Sequence, residues 1–105
     1  MVMELDREQE DWLCALPQPS LQEFARVVAL YLTVHVRGVL TDQELTNEVK
    51  LERIRALNEV VHVAVGRPRT PLALFEARDW CAEHHPEVVT SVDHALRRGM
   101  ETLDA

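Results

Sequence analysis

The stretch from Thr41 to Gly66 constrains the fold more than any other part of the chain. Thr41-Asp42-Gln43-Glu44 has the spacing of a capping box, in which a Thr hydroxyl and a Glu carboxylate satisfy backbone N–H groups at a helix start. Neither Gly nor Pro follows until Gly66, and Pro68 prevents a helix from continuing further. We therefore predict one long central helix over about 42–65, roughly 36 Å long at ~1.5 Å per residue.

Four further helices are predicted from apolar residues at three- and four-residue spacing and from Gly and Pro at the helix ends. The second helix begins at a capping box, Ser20 to Glu23, and should end before Gly38. β-Branched residues form no alternating runs, so strands are not expected. The chain, residues 1–105, is thus predicted to be a single all-α domain, a small bundle of about five helices. The further helices are predicted at residues 4–16, 20–37, 71–84 and 86–103.

Two helices carry more apolar surface than one small core requires. In the second helix, one face is formed by Leu21, Phe24, Ala25, Val28 and Leu32, and an adjacent stripe by Val27, Tyr31 and Val34. The fifth helix has a heptad-like seam at Val89, Val92, Leu96, Gly99 and Leu103, in which the glycine either admits a close neighbour or weakens the last turn. Such faces belong to the core or contact another subunit.

The charge of the chain favours a protein partner over nucleic acid. The formal net charge is −7, and nucleic-acid binding is driven by excess cations, so no nucleic-acid partner is expected. An acidic surface steers a basic protein partner electrostatically. Trp12 and Tyr31 are predicted anchors, because amphipathic aromatic residues dominate interface energetics. The acidic residues assigned to this interaction surface are Glu8, Asp11, Glu44 and Glu48.

The sequence gives no sign of export or of a membrane span. The first residues lack a basic segment followed by an apolar one, and no apolar run approaches 18 residues. Cys14 and Cys81 are too few for a disulfide framework and are predicted to be reduced thiols. These features predict a cytoplasmic protein that does not bind membranes.

Two short strings contain metal-binding residue types. Asn58-Glu59-Val60-Val61-His62 falls one histidine short of His-Glu-x-x-His, the zinc motif of metalloproteases. Cys81 and His84 lie one helical turn apart and would need ligands from elsewhere. Glu59, His62, Cys81 and His84 are therefore candidate ligands of an alternative function, a metal-binding bundle or a small enzyme. The favoured interpretation assigns no metal, no cofactor and no catalytic residue.

Other chemistry has weaker support. The chain has three glycines and lacks both a Gly-x-Ser-x-Gly elbow and a phosphate-binding glycine loop. A helix-turn-helix over residues 71–98 would place its arginines at the wrong end of the recognition helix. Whether Arg67 and Arg69 bind an anion is left open. The predicted function is a non-catalytic interaction module: an inhibitor or immunity-type protein that binds a basic partner, or a homodimer.

Overall fold

The computed structural model describes residues 7–66 and 70–104, and all regular structure in this part of the chain is helical. This confirms the predicted all-α bundle of five helices. A single 3-10 turn, Pro86–Val88, precedes the fifth helix. The start of the predicted first helix, and Arg67 and Arg69, lie outside the described residues. The helices are α1 (Arg7–Cys14), α2 (Gln18–Thr41), α3 (Asn47–Val65), α4 (Leu72–His84) and α5 (Val89–Asp104).

Helices α2 to α5 form a ring in which α2 packs against both α3 and α5, and α4 closes the other side. α3 runs antiparallel to α2. The Lys50 ammonium near the start of α3 donates to the Leu40 carbonyl near the end of α2, 3.1 Å away, and the end of α3 lines a cavity with the start of α2. The core lies between these helices. Its fully buried large side chains include Leu13, Phe24, Val28, Leu32, Leu57, Val60, Leu74, Val92 and Leu96.

The predicted start of the central helix is wrong. Thr41 is the last residue of α2, and its hydroxyl donates back to the carbonyls of Arg37 and Gly38. α3 begins at Asn47, where the Thr46 hydroxyl accepts the Val49 N–H at 3.3 Å. Residues 42–46 must form a loop, because two antiparallel neighbours need a reversal of the chain between them.

The longest helix is α2, with 24 residues, and not α3, with 19. α2 begins at Gln18, before the predicted capping box, because Pro19 is tolerated in the first helical turn. It also continues through Gly38, which was predicted to end it. α3 does end at Val65 as predicted, but the φ of Gly66 is −77°, so this cap is not left-handed.

The five residues predicted to share one face of α2 are all buried, so this face belongs to the core, whereas the buried positions of α3 and α4 differ from the predicted ones. In α3, helical spacing predicts a main apolar stripe of Ile54, Leu57, Val61 and Ala64. The buried positions are instead Ala56, Leu57, Val60 and Ala64, so Val60 rather than Val61 lies on the central line. In α4, Phe75 and Arg78 are buried, although neither was predicted to be. The phenyl ring of Phe24 packs directly against Gly99 of α5, because a Cβ on Gly99 would lie only 2.7 Å from the ring.

By length and composition alone, α2 would also suffice to cross a membrane. The same features are found in core helices, and the inner side chains of α2 pack against α3 and α5. Length and composition therefore do not establish a span here.

Candidate functional site

The four candidate metal ligands do not converge. Cys81 is fully buried between α3 and α4, while Glu59, His62 and His84 are exposed. His84 stacks on Trp80 and lies, through Nδ1, 3.1 Å from the Trp80 carbonyl oxygen. Within residues 7–66 and 70–104, no group of three His, Cys, Asp or Glu side chains is placed to hold a metal ion.

The thiol of Cys81 is held in its protonated form. Burial is the main cause, and it raises the pKa of Cys81 to about 11. The sulfur lies 3.8 Å from the Ala56 carbonyl oxygen, which it contacts as a weak donor. A protonated, buried thiol is a poor nucleophile and a poor metal ligand, because both roles require the thiolate.

A buried ion pair joins α4 to α5. Nε of Arg78 donates to Oδ1 of Asp93 at 2.8 Å, and a second guanidinium nitrogen lies 3.4 Å from Oδ2. Arg78 also reaches Asp79 on the surface at 3.0 Å. The hydrogen bond from Arg78 to Asp93 raises the pKa of the guanidinium. The pair was not predicted from the sequence. It links α4 to α5 through two contacts between one guanidinium and one carboxylate.

A chain of polar side chains crosses the α2–α5 interface. Nε of Arg98 donates to Nε2 of His94 at 3.4 Å, an arrangement that assigns a proton of His94 to the other ring nitrogen, Nδ1. That proton points to Nε2 of His35, 3.1 Å away. The Arg98 guanidinium also lies over the Tyr31 ring, 5.9 Å from its centroid, and is paired with Glu101.

The environment of His35 favours its neutral form. Partial burial, and then the neighbouring His94, lower the pKa of His35. A second proton on His35 would sit on Nε2 and face the N–H group of His94. In its neutral form His35 can accept the hydrogen bond from His94 that joins α2 to α5.

The two predicted aromatic anchors, Trp12 and Tyr31, differ in their exposure. Trp12 on α1 is 40% exposed and is free to contact a partner. Tyr31 is half-buried, because its ring meets His94 edge-on and Arg98 from above. Tyr31 is therefore largely engaged within the chain.

The predicted acidic residues form two separate clusters. Glu8 and Asp11 lie on α1, before α2, whereas Glu44 and Glu48 follow the other end of α2. All four are exposed. A 24-residue helix is about 36 Å long at ~1.5 Å per residue, so the two clusters lie toward opposite ends of the molecule. One small basic surface cannot contact both.

The outer side of α2 was only partly anticipated from the sequence. Leu30 is 63% exposed and Val34 is 60% exposed, and Val27 completes the row at half burial. No Asp, Glu, Lys or Arg occurs between Arg26 and Arg37, a run of ten residues. We call Val27, Leu30 and Val34 the outer α2 face.

Among the cavities lined by the described residues, two lie between neighbouring helices. The larger, about 290 Å³, separates the start of α2 from the end of α3 and is lined mainly by apolar side chains. The smaller, about 190 Å³, lies between α3 and α4 and includes Glu59 and Trp80. Neither brings together a nucleophile and a base.

Comparison of the chain with protein-family models, with curated proteins and with solved structures found no match.

Proposed function

We propose that the chain is a non-catalytic protein–protein interaction module that docks through the outer α2 face. The observation that carries this proposal is the exposure of Leu30 and Val34 within an uncharged stretch of the longest helix. Contiguous apolar surface on a helix commonly marks an interaction site, whereas scattered apolar residues do not. The face lies opposite the buried side chains of α2, so a partner can cover it without disturbing the core.

A basic partner of an inhibitor or immunity-type protein is the second candidate. It is supported by the net charge of −7 and by the exposed Glu44 and Glu48 at the start of α3. Because the acidic clusters are separated, such a partner would engage one end of the molecule. Its association would slow steeply with salt, since exposed charges are screened. Association through the outer α2 face would depend little on salt.

Function in the cytoplasm is part of the same proposal. It is supported by the two cysteines, which are free thiols, Cys14 exposed and Cys81 buried. Free thiols are typical of reducing compartments.

A capture experiment with three baits tests the proposal. Wild type, Leu30→Glu and Val65→Glu are immobilised and exposed to extract of the source organism, and bound proteins are identified by mass. Val65 is the matched control, because it is also 63% exposed but lies at the end of α3. A protein bound by wild type and Val65→Glu, and lost with Leu30→Glu, is the expected result. Identical sets for all three baits would contradict docking through this face.

A further inference from the structure

The outer α2 face has the residue pattern of a helix that pairs with another helix. Glu23, Val27, Leu30, Val34 and Arg37 are spaced by four, three, four and three residues, which is a heptad seam. This seam is separate from the inner face, whose five side chains are buried against α3 and α5. α2 therefore presents two seams, and the bundle covers one of them.

The charges of this seam are arranged at its ends. Glu23 and Arg37 each lie seven residues from Leu30, and the residues between them at seam positions are apolar. Glu23 is paired with Arg26 on the same helix at 2.7 Å but keeps 42% of its side chain exposed. Arg37 is exposed. The seam thus has a carboxylate, Glu23, at one end and a guanidinium, Arg37, at the other.

We propose that a second copy of this chain covers the outer α2 face, with the two α2 helices antiparallel about a twofold axis. This inference rests on the proposed function and names its partner. A twofold interface uses the same patch on both subunits, so the patch must complement itself. An apolar centre flanked by an acid at one end and a base at the other meets that requirement.

The direction of pairing follows from the same charges. In a parallel pair, Arg37 would lie beside Arg37 of the partner subunit, and the two glutamates would also meet. In an antiparallel pair, Leu30 packs on Val34 of the partner subunit. Arg37 then lies one helical turn from Glu23 of the partner subunit. Opposite charges meet in the antiparallel arrangement and like charges in the parallel one.

The test is the mass of the protein in solution, measured by light scattering and by sedimentation over a wide concentration range. Wild type and Val65→Glu should have twice the monomer mass. Leu30→Glu should raise the dissociation constant of the dimer by about 100-fold or more, because a carboxylate enters an apolar contact. Circular dichroism checks that the helical content of each variant is retained.

A charge exchange tests the antiparallel direction without altering the apolar centre. Arg37→Glu should weaken the dimer, and Glu23→Arg combined with Arg37→Glu should restore it. Restoration is expected for the antiparallel pair and not for a parallel one, in which both variants keep like charges together. A restored dimer supports the proposal, and a dimer that both variants leave equally weakened overturns it.

Two other results would overturn the homodimer in distinguishable ways. Wild type could be monomeric at high concentration while still capturing a protein that the Leu30→Glu bait does not bind. In that case the proposed function stands and the second copy is rejected. If wild type is monomeric and instead sediments with vesicles of neutral phospholipid in a Leu30-dependent manner, the face binds a membrane, and both proposals fail.

Discussion

Nδ1 of His94 on α5 lies 3.1 Å from Nε2 of His35 on α2, and these residues are 59 positions apart in the chain. Arg98 fixes the direction of this hydrogen bond by donating to the other nitrogen of His94. The α2–α5 interface therefore contains a hydrogen bond that a neutral His35 accepts, and the pKa of His35 is lowered there by partial burial. Its consequence is a dependence of stability on pH.

Acidification should weaken the fold through His35. The folded protein lowers the pKa of His35 below its ordinary value of 6.5, so the unfolded chain takes up this proton first as the pH falls. The free energy of unfolding therefore decreases as the pH drops below 6.5, and it is highest above that value. Urea unfolding at about pH 7.5 and about pH 5.5 measures the effect.

The histidine variants assign this pH dependence. His35→Gln should flatten the profile over that interval, because the titrating group is removed while an acceptor for His94 is kept. His84→Gln, on the exposed side of α4, should retain the wild-type slope. An equal loss of stability on acidification in wild type and His35→Gln would show that other groups are responsible.

Removing one partner of the buried pair of Arg78 and Asp93 should lower the free energy of unfolding considerably. Asp93→Leu removes the buried carboxylate and leaves the guanidinium with the exposed Asp79, and we expect a loss of about 3 kcal/mol in the free energy of unfolding. Arg78→Met combined with Asp93→Leu should recover most of this loss, since both charges are then absent. Asp79→Ala removes the exposed partner and should cost at most about 1 kcal/mol. The three variants are compared by urea unfolding, and a double variant no better than Asp93→Leu would argue against charge burial as the cause.

The two glycines within helices should respond oppositely to alanine. A Cβ on Gly99 would lie 2.7–2.8 Å from ring carbons of Phe24 and 3.0 Å from Val28. Phe24 is fully buried and cannot move aside, so Gly99→Ala should destabilise the protein, with overpacking costing about 1–3 kcal/mol. At Gly38 no atom lies within 4 Å of the added Cβ. Gly38→Ala should therefore stabilise the protein by about 0.5–1 kcal/mol.

Thermal unfolding of both glycine variants gives the comparison directly. Adding Phe24→Leu to Gly99→Ala should reduce the penalty, because the smaller side chain leaves room for the methyl group. If Gly99→Ala stabilised the protein as much as Gly38→Ala, the close packing of α5 on α2 would be refuted.

The two thiols should differ in reactivity. The pKa of Cys81 is raised to about 11 and its side chain is fully buried, whereas Cys14 is exposed. At neutral pH a thiol-specific reagent should modify Cys14 in the folded protein and leave Cys81 unmodified. Mass spectrometry counts the modified thiols, and unfolding in urea should make both react. Rapid modification of Cys81 in the folded chain would show that α3 and α4 open readily.

Whether a candidate site could be predicted from the sequence depends on how far apart its residues are in the chain. Exposed acidic residues and the exposed Trp12 could be identified from composition and position. The contacts of Arg78 with Asp93, fifteen residues apart, and of His35 with His94 could not, because no local spacing relates their positions. That α2 lies between Glu8 and Asp11 on one side and Glu44 and Glu48 on the other follows from the helix bounds, and the role of these residues in binding stays a prediction.

The sequence by itself determined that the chain is a five-helix bundle, that α4 ends at His84, and that Leu21, Phe24, Ala25, Val28 and Leu32 share one face of α2. These features follow from helical periodicity and from proline, which act over a few residues. Only the tertiary structure decided that Thr46 rather than Thr41 begins α3, that α2 continues through Gly38, and which stripe of α2 is covered. The physical reason is that local signals such as capping boxes contribute about 1 kcal/mol each. Burial of several side chains against neighbouring helices contributes more, and it selects among the locally acceptable alternatives.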